Sequence, residues 1–191
     1  MTTIYLIRHG QDVDNADKIL NGRRDGTLTP LGKRQAREVA KKLINEKIEA
    51  IYSSPLNRAY ETALIIAKEL GLKDVKIDVD LIEREFGVLT GKPVADIPKY
   101  AKEVVVSDGV NYFIEADGAE TFPELLGRAA RVLKRITDKH PRWNVIVVTH
   151  GDIGKMIIAA FHDWSWLEGI KAPYFNNAAI LELGGRKDTL I

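Results

Sequence analysis

Two short apolar runs, each ending in a histidine and then a glycine, constrain this chain more than anything else in it. They are TIYLIRHG, from Thr3 to Gly10, and NVIVVTHG, from Asn144 to Gly151. A strand with one wet face alternates apolar and polar residues. These runs do not alternate, so each reads as a strand buried on both faces. Further strand-like runs fall at 50–53, 75–79 and 178–183, with helically spaced stretches at 30–46, 55–70, 121–139 and 153–162 between them. Such alternation predicts an α/β fold, a three-layer sandwich whose mainly parallel central sheet is flanked by helices. Thr29-Pro30 and Ser54-Pro55 each put a hydroxyl before a proline, the pattern of a capped helix start, and Gly71 marks a helix end.

At 191 residues the chain suits one domain with its own core, and 1–191 reads as a single domain. Residues 81–119 interrupt the pattern. Periodicity fades there, and Pro93, Pro98 and several glycines punctuate the stretch. A segment of that length inside a compact domain reads as a cap or lid rather than an idle loop. The net charge is +1, which gives no general attraction to nucleic acid or to an anionic membrane. There is no cysteine, excluding disulfides, thiolate nucleophiles and cysteine-ligated metals. The first strand begins at residue 3, leaving no room for a signal peptide, and no apolar run reaches the ~18 residues of a membrane span. A cytoplasmic location is the expectation from these absences.

In parallel α/β sheets, ligands sit beyond the carboxyl ends of the strands. Arg8, His9 and Gly10 form one such end, and His150 with Gly151 forms another. The other two of the four histidines, His140 and His162, lack that context and read as surface or packing residues. A single strand-end histidine would read as a hydrogen-bonded core residue; two in the same setting point to function. YSSPLNRAYETA puts Arg58 in the first turn of a helix, where exposed N–H groups already favour an anion and a guanidinium adds a bidentate donor. Taken alone, Arg58 reads better as a surface residue of a helix. The helix after His150 offers a second N-terminus, with Asp152 as its expected cap. Two arginines, two histidines and two helix ends around one small space suit a dianionic phosphoryl group. Gly10 is expected to let the backbone turn closely beneath it.

LIRHGQDVDN, NGRRDGTLTPLGKRQA, IYSSPLNRAYETA, LIEREFGVLTG and VIVVTHG follow one another along the chain. Over nearly its whole length the chain resembles the histidine phosphatase superfamily, which includes the cofactor-dependent phosphoglycerate mutases. The resemblance implies a phosphohistidine mechanism. His9 is then the nucleophile; Arg8, Arg58 and His150 hold the transferred group, His150 in its protonated form; and Glu83 protonates the leaving oxygen. The residue chemistry agrees, since a neutral imidazole nitrogen is a competent nucleophile. Glu83 takes its role from motif register. Glu85 is the nearby competitor, otherwise a solvated residue or a salt-bridge partner of Arg84. Gly10, Gln11, Asn15, Asn21, Gly22 and Gly151 are candidate substrate-binding residues, although asparagine and glycine are also ordinary turn formers. No metal or other cofactor is expected, because the arginines neutralise charge and no carboxylate–histidine cluster has ligand spacing.

Three functions compete: a phosphomonoesterase, a phosphoglycerate mutase and a non-catalytic phosphate-binding module. All the catalytic positions are filled, which argues against the third. EREFGVLTGK resembles the acidic block of the mutases. Yet no arginine occurs between Arg84 and Arg128, where the mutases resemble one another in carrying paired arginines, and the cap offers only Lys92, Lys99 and Lys102 as cations. Hydrolysis of a small-molecule phosphomonoester is therefore the expected activity, with no nucleic-acid or membrane partner. Val104, Val105, Val106, Tyr112, Phe113 and Ile114 either meet an apolar substrate body or pack the cap. FHDWSW, around Trp164 and Trp166, leaves monomer and homodimer both open.

Overall fold

The computed structural model describes residues 2–173, 176–184 and 189–190, the last pair by backbone alone. The chain opens with β1 (Thr3–Arg8), the short helix α1 (Val13–Ala16) and α2 (Pro30–Lys42), followed by β2 (Ile48–Ser53), α3 (Asn57–Leu70) and β3 (Val75–Ile77). Several 3-10 turns lead to α4 (Ile97–Tyr100) and a hairpin of β4 (Glu103–Ser107) and β5 (Val110–Glu115). Then come α5 (Phe122–Lys139), β6 (Asn144–Thr149), α6 (Gly151–His162), α7 (Trp166–Lys171), β7 (Ile180–Leu183) and β8 (Thr189–Leu190).

Six strands form one sheet in the order β3-β2-β6-β1-β7-β8. The first four are mutually parallel, and β7 and β8 complete it antiparallel. β1 and β6 are thus central neighbours, which accounts for their unbroken apolar character. Ile4, Leu6, Val145 and Val147 pack on one face with Leu125, Ala129 and Val132 of α5 and Ile153, Met156 and Ile157 of α6. Tyr5, Ile7, Ile146 and Val148 pack on the other with Val39 and Ala40 of α2 and Ala59, Ala63 and Ile66 of α3. Both sets of alternating side chains are buried, each large aliphatic one contributing about 1.5–3 kcal/mol. The layered α/β architecture is as expected.

Several element ends differ from the sequence expectation. Pro55 lies outside α3, which starts at Asn57 behind Leu56 with no side-chain cap. Ser54 Oγ accepts from the Leu56 amide at 3.2 Å and faces His150 instead. β3 stops at Ile77 because the Asp78 side chain caps the 3-10 turn that follows. β7 begins only at Ile180, after Ala178 at φ 60°. Gly71, at φ 69°, and Thr29, which accepts from Gly32, end and begin their helices as expected.

The hairpin was not anticipated. It turns at Asp108-Gly109, both in the left-handed region at φ 50° and 73°, a two-residue connection that matches strand twist. It sits over a small apolar cluster of its own: Phe86, Leu89, Ile97, Phe113 and Ala116. Elsewhere, His140 is buried and hydrogen-bonds Tyr52 at 2.9 Å, a packing role as expected. Trp166 stacks on Phe122 within the chain.

Candidate active site

β1 and β6 end in register, Arg8 opposite Thr149, and the His9 amide donates to the Thr149 carbonyl at 3.0 Å. His9 and His150 therefore leave the sheet side by side, with ring centroids 5.1 Å apart. Arg58, fully buried, reaches in from the first turn of α3 and places Nε 3.2 Å from His9 Nε2. A guanidinium can only donate, so His9 Nε2 accepts there and carries the lone pair. The ring proton is then on Nδ1, which donates to the Gly10 carbonyl at 2.7 Å. Electrostatics agree with this neutral tautomer. Burial, and after it the charges of Arg58 and Arg8, hold the His9 pKa well below the ordinary histidine range.

His150 is also buried. Its Nε2 lies 2.7 Å from Ser54 Oγ, while its Nδ1 has no hydrogen-bond partner among the described residues. Burial, Arg58, His9, Arg8 and Arg128, in that order, push its pKa well down. Without a ligand the neutral ring is therefore favoured; a phosphate dianion at Nδ1 would draw in the proton that the phosphate-holding role expects. An unpartnered buried nitrogen is costly, and a phosphoryl oxygen would satisfy it.

Glu83 is held by three amides. Oε1 accepts from Arg84 at 2.9 Å and Ile153 at 3.2 Å, and Oε2 from Asp152 at 3.3 Å. Two first-turn amides of α6, those of Asp152 and Ile153, are taken by Glu83, and the Asn57 amide of α3 donates to Asp25 Oδ1 at 2.8 Å, while Gly151, the first residue of α6, lines the cavity. Both helix ends bind carboxylates, as their partial positive charge favours. Asp152 is not the cap of α6; His150 occupies that position, without a side-chain bond. Positive charge for an anion comes from Arg8 and Arg58. Glu85 accepts from the Phe86 and Gly87 amides at 3.1 and 3.3 Å and lies 3.8 Å from Arg23, not Arg84. Arg84 pairs with Asp152 at 3.3 Å.

A cavity of about 360 Å³ opens above these groups. Arg8, Asn15, Asn21, Glu83, Gly151 and Asp152 line one side, and Val110 to Phe113 of the hairpin line the other. His9, Arg58 and His150 lie buried next to it, at 2%, 0% and 0% exposure. Among the described residues, no group of three acids or histidines is placed to hold a metal ion.

Residues 4–190 match the family model for the histidine phosphatase superfamily (branch 1). The chain belongs to this superfamily. It is 34% identical to putative phosphoserine phosphatase 2 of Hydrogenobacter thermophilus over 196 residues, which cover 100% of this chain and 94% of that protein. Against phosphoglycerate mutase-like protein 4 of Arabidopsis thaliana it is 38% identical over 154 residues, 78% of this chain but 66% of that one, so it spans about two thirds of that relative's length. The crystal structure of a phosphoserine phosphatase from Entamoeba histolytica in complex with 3-phosphoglyceric acid superposes with a TM-score of 0.77 at 27% identity, covering 100% of this chain and 95% of that one.

In this member of the superfamily, the candidates divide into those at the cavity and those behind it. Asn15 and Asn21 reach it, tied to Asn177 and Asp12 respectively at 2.8 Å each. Gln11 does not, since its Oε1 accepts from the Thr29 hydroxyl at 2.9 Å, toward the start of α2. Gly22 acts through its carbonyl, which accepts from Arg58 Nη2 at 2.7 Å. Gly10 is constrained by a neighbouring turn rather than by a ligand, because a Cβ there would stand 2.5 Å from the Gly32 carbonyl.

Sequence reasoning missed Asp12. Fully buried, it accepts the Asn15 amide at 2.8 Å on Oδ1 and Asn21 Nδ2 at 2.8 Å on Oδ2, and Oδ2 lies 3.5 Å from Arg58 Nε. One carboxylate thus orders three candidate site residues. Its signal was local: Asp12 stands three residues before Asn15, the spacing of a helix cap.

Proposed function

We propose that this chain is a metal-independent phosphomonoesterase acting on a small phosphorylated metabolite through a phosphohistidine on His9. The observation that carries the reading is the buried trio of His9 Nε2, Arg58 3.2 Å from it, and the unpartnered His150 Nδ1 beside them. In the first step the Nε2 lone pair attacks phosphorus and the bond to the substrate oxygen breaks. Glu83 gives its proton to that oxygen, and an alcohol leaves. Arg58 moves its Nε–H from His9 onto a phosphoryl oxygen as the lone pair is used, and Arg8 and protonated His150 take up the remaining charge. In the second step water attacks phospho-His9, gives a proton to Glu83 and releases inorganic phosphate. Residues 81–119 serve as the cap, with β5 roofing the cavity.

Hydrolysis is favoured over mutase chemistry by where the cap lysines are spent. Lys92 lies over the Tyr100 ring at 5.4 Å, Lys99 pairs with Asp96 at 2.6 Å, and Lys102 pairs with Glu115 and Asp117 at 2.9 Å each. None lines the cavity, so a phosphoglycerate carboxylate finds no cation under the roof. The test is a phosphatase screen over phosphorylated metabolites, with EDTA present and 3-phosphoglycerate mutase activity assayed in parallel. Hydrolysis that survives chelation and disappears in His9→Ala is expected. Mutase turnover exceeding hydrolysis, or hydrolysis retained in His9→Ala, overturns the reading.

A further inference from the structure

The charges that line the cavity beyond the phosphoryl end are uneven. Among the described residues Arg8 is the single cation in the lining, at the end where β1 stops, whereas Glu83 and Asp152 present two carboxylates. The other polar lining residues, Asn15, Asn21, Asn111 and Tyr112, carry no formal charge. Two cations, Arg84 and Lys155, stand behind the wall, and Arg84 already offsets part of the Asp152 charge. Arg84 is fully enclosed; it gives Nη1 to Asp152 Oδ2 at 3.3 Å, Nη2 to the Phe113 carbonyl at 2.7 Å and Nε to the Glu120 carbonyl at 2.9 Å. Lys155, one turn along α6, spends its ammonium on the Ile170 carbonyl at 2.7 Å.

That compensation is incomplete. Burial and the neighbouring Glu83 charge raise the Asp152 pKa above the usual carboxylate range, against the pull of Arg84, Lys155 and Arg8. An added positive charge at Asp152 would therefore be stabilised, and an added negative one repelled. The Asp152 side chain keeps 14% of its surface exposed, and Asp152 lines the cavity.

We propose that Asp152 selects substrates by the charge of the group esterified to phosphate, pairing with an ammonium and rejecting a carboxylate. The proposal rests on the phosphatase reading and narrows its substrate class to phosphomonoesters with an amino-bearing or neutral body. Arg8 and Arg58 are consumed by the phosphoryl group. The body of the substrate then meets Asp152, the asparagines and the apolar face of the hairpin. A charge-assisted hydrogen bond in such a partly buried setting is worth roughly tenfold or more in binding.

Three esters of nearly equal size test this directly: O-phosphoethanolamine, ethyl phosphate and phosphoglycolate. The wild-type enzyme should show kcat/KM falling in that order, with at least about a tenfold gap between the first and last. In Asp152→Asn, which keeps the backbone amide that holds Glu83, the ratio of the first to the second should collapse toward one. Each ratio is taken within one protein, so a general loss of activity cancels. Equal turnover of all three, or a preference for phosphoglycolate, overturns the proposal while leaving the phosphatase reading intact. An unchanged ratio in Asp152→Asn removes Asp152 from the selection. If none of the three is hydrolysed and p-nitrophenyl phosphate is not either, the phosphatase reading falls. Calorimetric binding of the same three compounds then decides the charge rule: the same order supports it, and equal or absent binding overturns it.

Discussion

The two sides of the cavity are built by different means. At the phosphoryl side, side chains from α3 and from the ends of β1 and β6 are fixed by strand register and by one buried carboxylate, Asp12, with each guanidinium nitrogen of Arg58 given an acceptor. At the roof, β5 is held by a small apolar cluster and by Arg84, which lies 4.0 and 4.1 Å from the rings of Phe113 and Phe122 while bonding the Phe113 carbonyl. In the proposed reaction the first construction would fix atoms against phosphorus. The second holds a wall against the rest of the substrate. Changes on the first side should therefore cost turnover, and changes on the second should cost affinity and selectivity.

The largest expected effect distinguishes the two glutamates near the wall. Glu83→Gln should lower kcat by about 10²–10⁴, the usual worth of a general acid, while Glu85→Gln stays within roughly threefold. Comparable losses in both would mean that motif register does not single out Glu83 as the proton donor. Next comes Asp12→Asn. It strips the counter-charge from buried Arg58 and should cost about 3 kcal/mol in chemical denaturation and roughly tenfold or more in kcat. A stable variant with normal kcat would show that Arg58 is positioned without Asp12.

At the roof, Arg84→Met keeps bulk between the phenylalanines but frees the hairpin carbonyl. KM should rise by about tenfold with kcat changed less than about threefold; the opposite split would erase the contrast between the two sides.

A further effect concerns pH. Folding lowers the pKa of His9 and His150 below the ordinary 6.5. Below that value the unfolded chain binds protons that the folded one refuses, so stability falls as pH drops from 6.5 toward the lowered values, by at most about 1.4 kcal/mol per pH unit for each histidine. Thermal melts between pH 7.5 and 5 should show this slope. Saturating vanadate should flatten it by letting His150 accept its proton in the folded state. A pH-independent melt would contradict the neutral, buried imidazoles.

How far the sequence reached follows from the same contrast. Strand ends carry their chemistry in consecutive letters, so Arg8, His9 and His150 could be placed from β1 and β6 alone, and the buried faces of those strands announced the sheet. Arg58 needed only a helix start. The hairpin was overlooked because its strands are short and half-exposed, although Asp108-Gly109 between apolar runs was a usable turn signal. The occupants of the helix N-termini were out of reach for another reason. Glu83 and Asp25 come to the Ile153 amide of α6 and the Asn57 amide of α3 from 70 and 32 residues away, and nothing local to either helix records which anion its amides receive. The capping role of Asp12 toward Asn15 was legible locally, but its pairing with Arg58, distant in the chain, was not.

The most direct test of the central claim is to trap the covalent intermediate. Enzyme mixed with a turned-over phosphomonoester and quenched in base within milliseconds should carry one phosphoryl group on the peptide containing His9, identified by mass spectrometry, and His9→Ala should carry none. A phosphoryl group found on another residue, or full-speed hydrolysis with no trapped phosphoenzyme and no dependence on His9, would contradict the account.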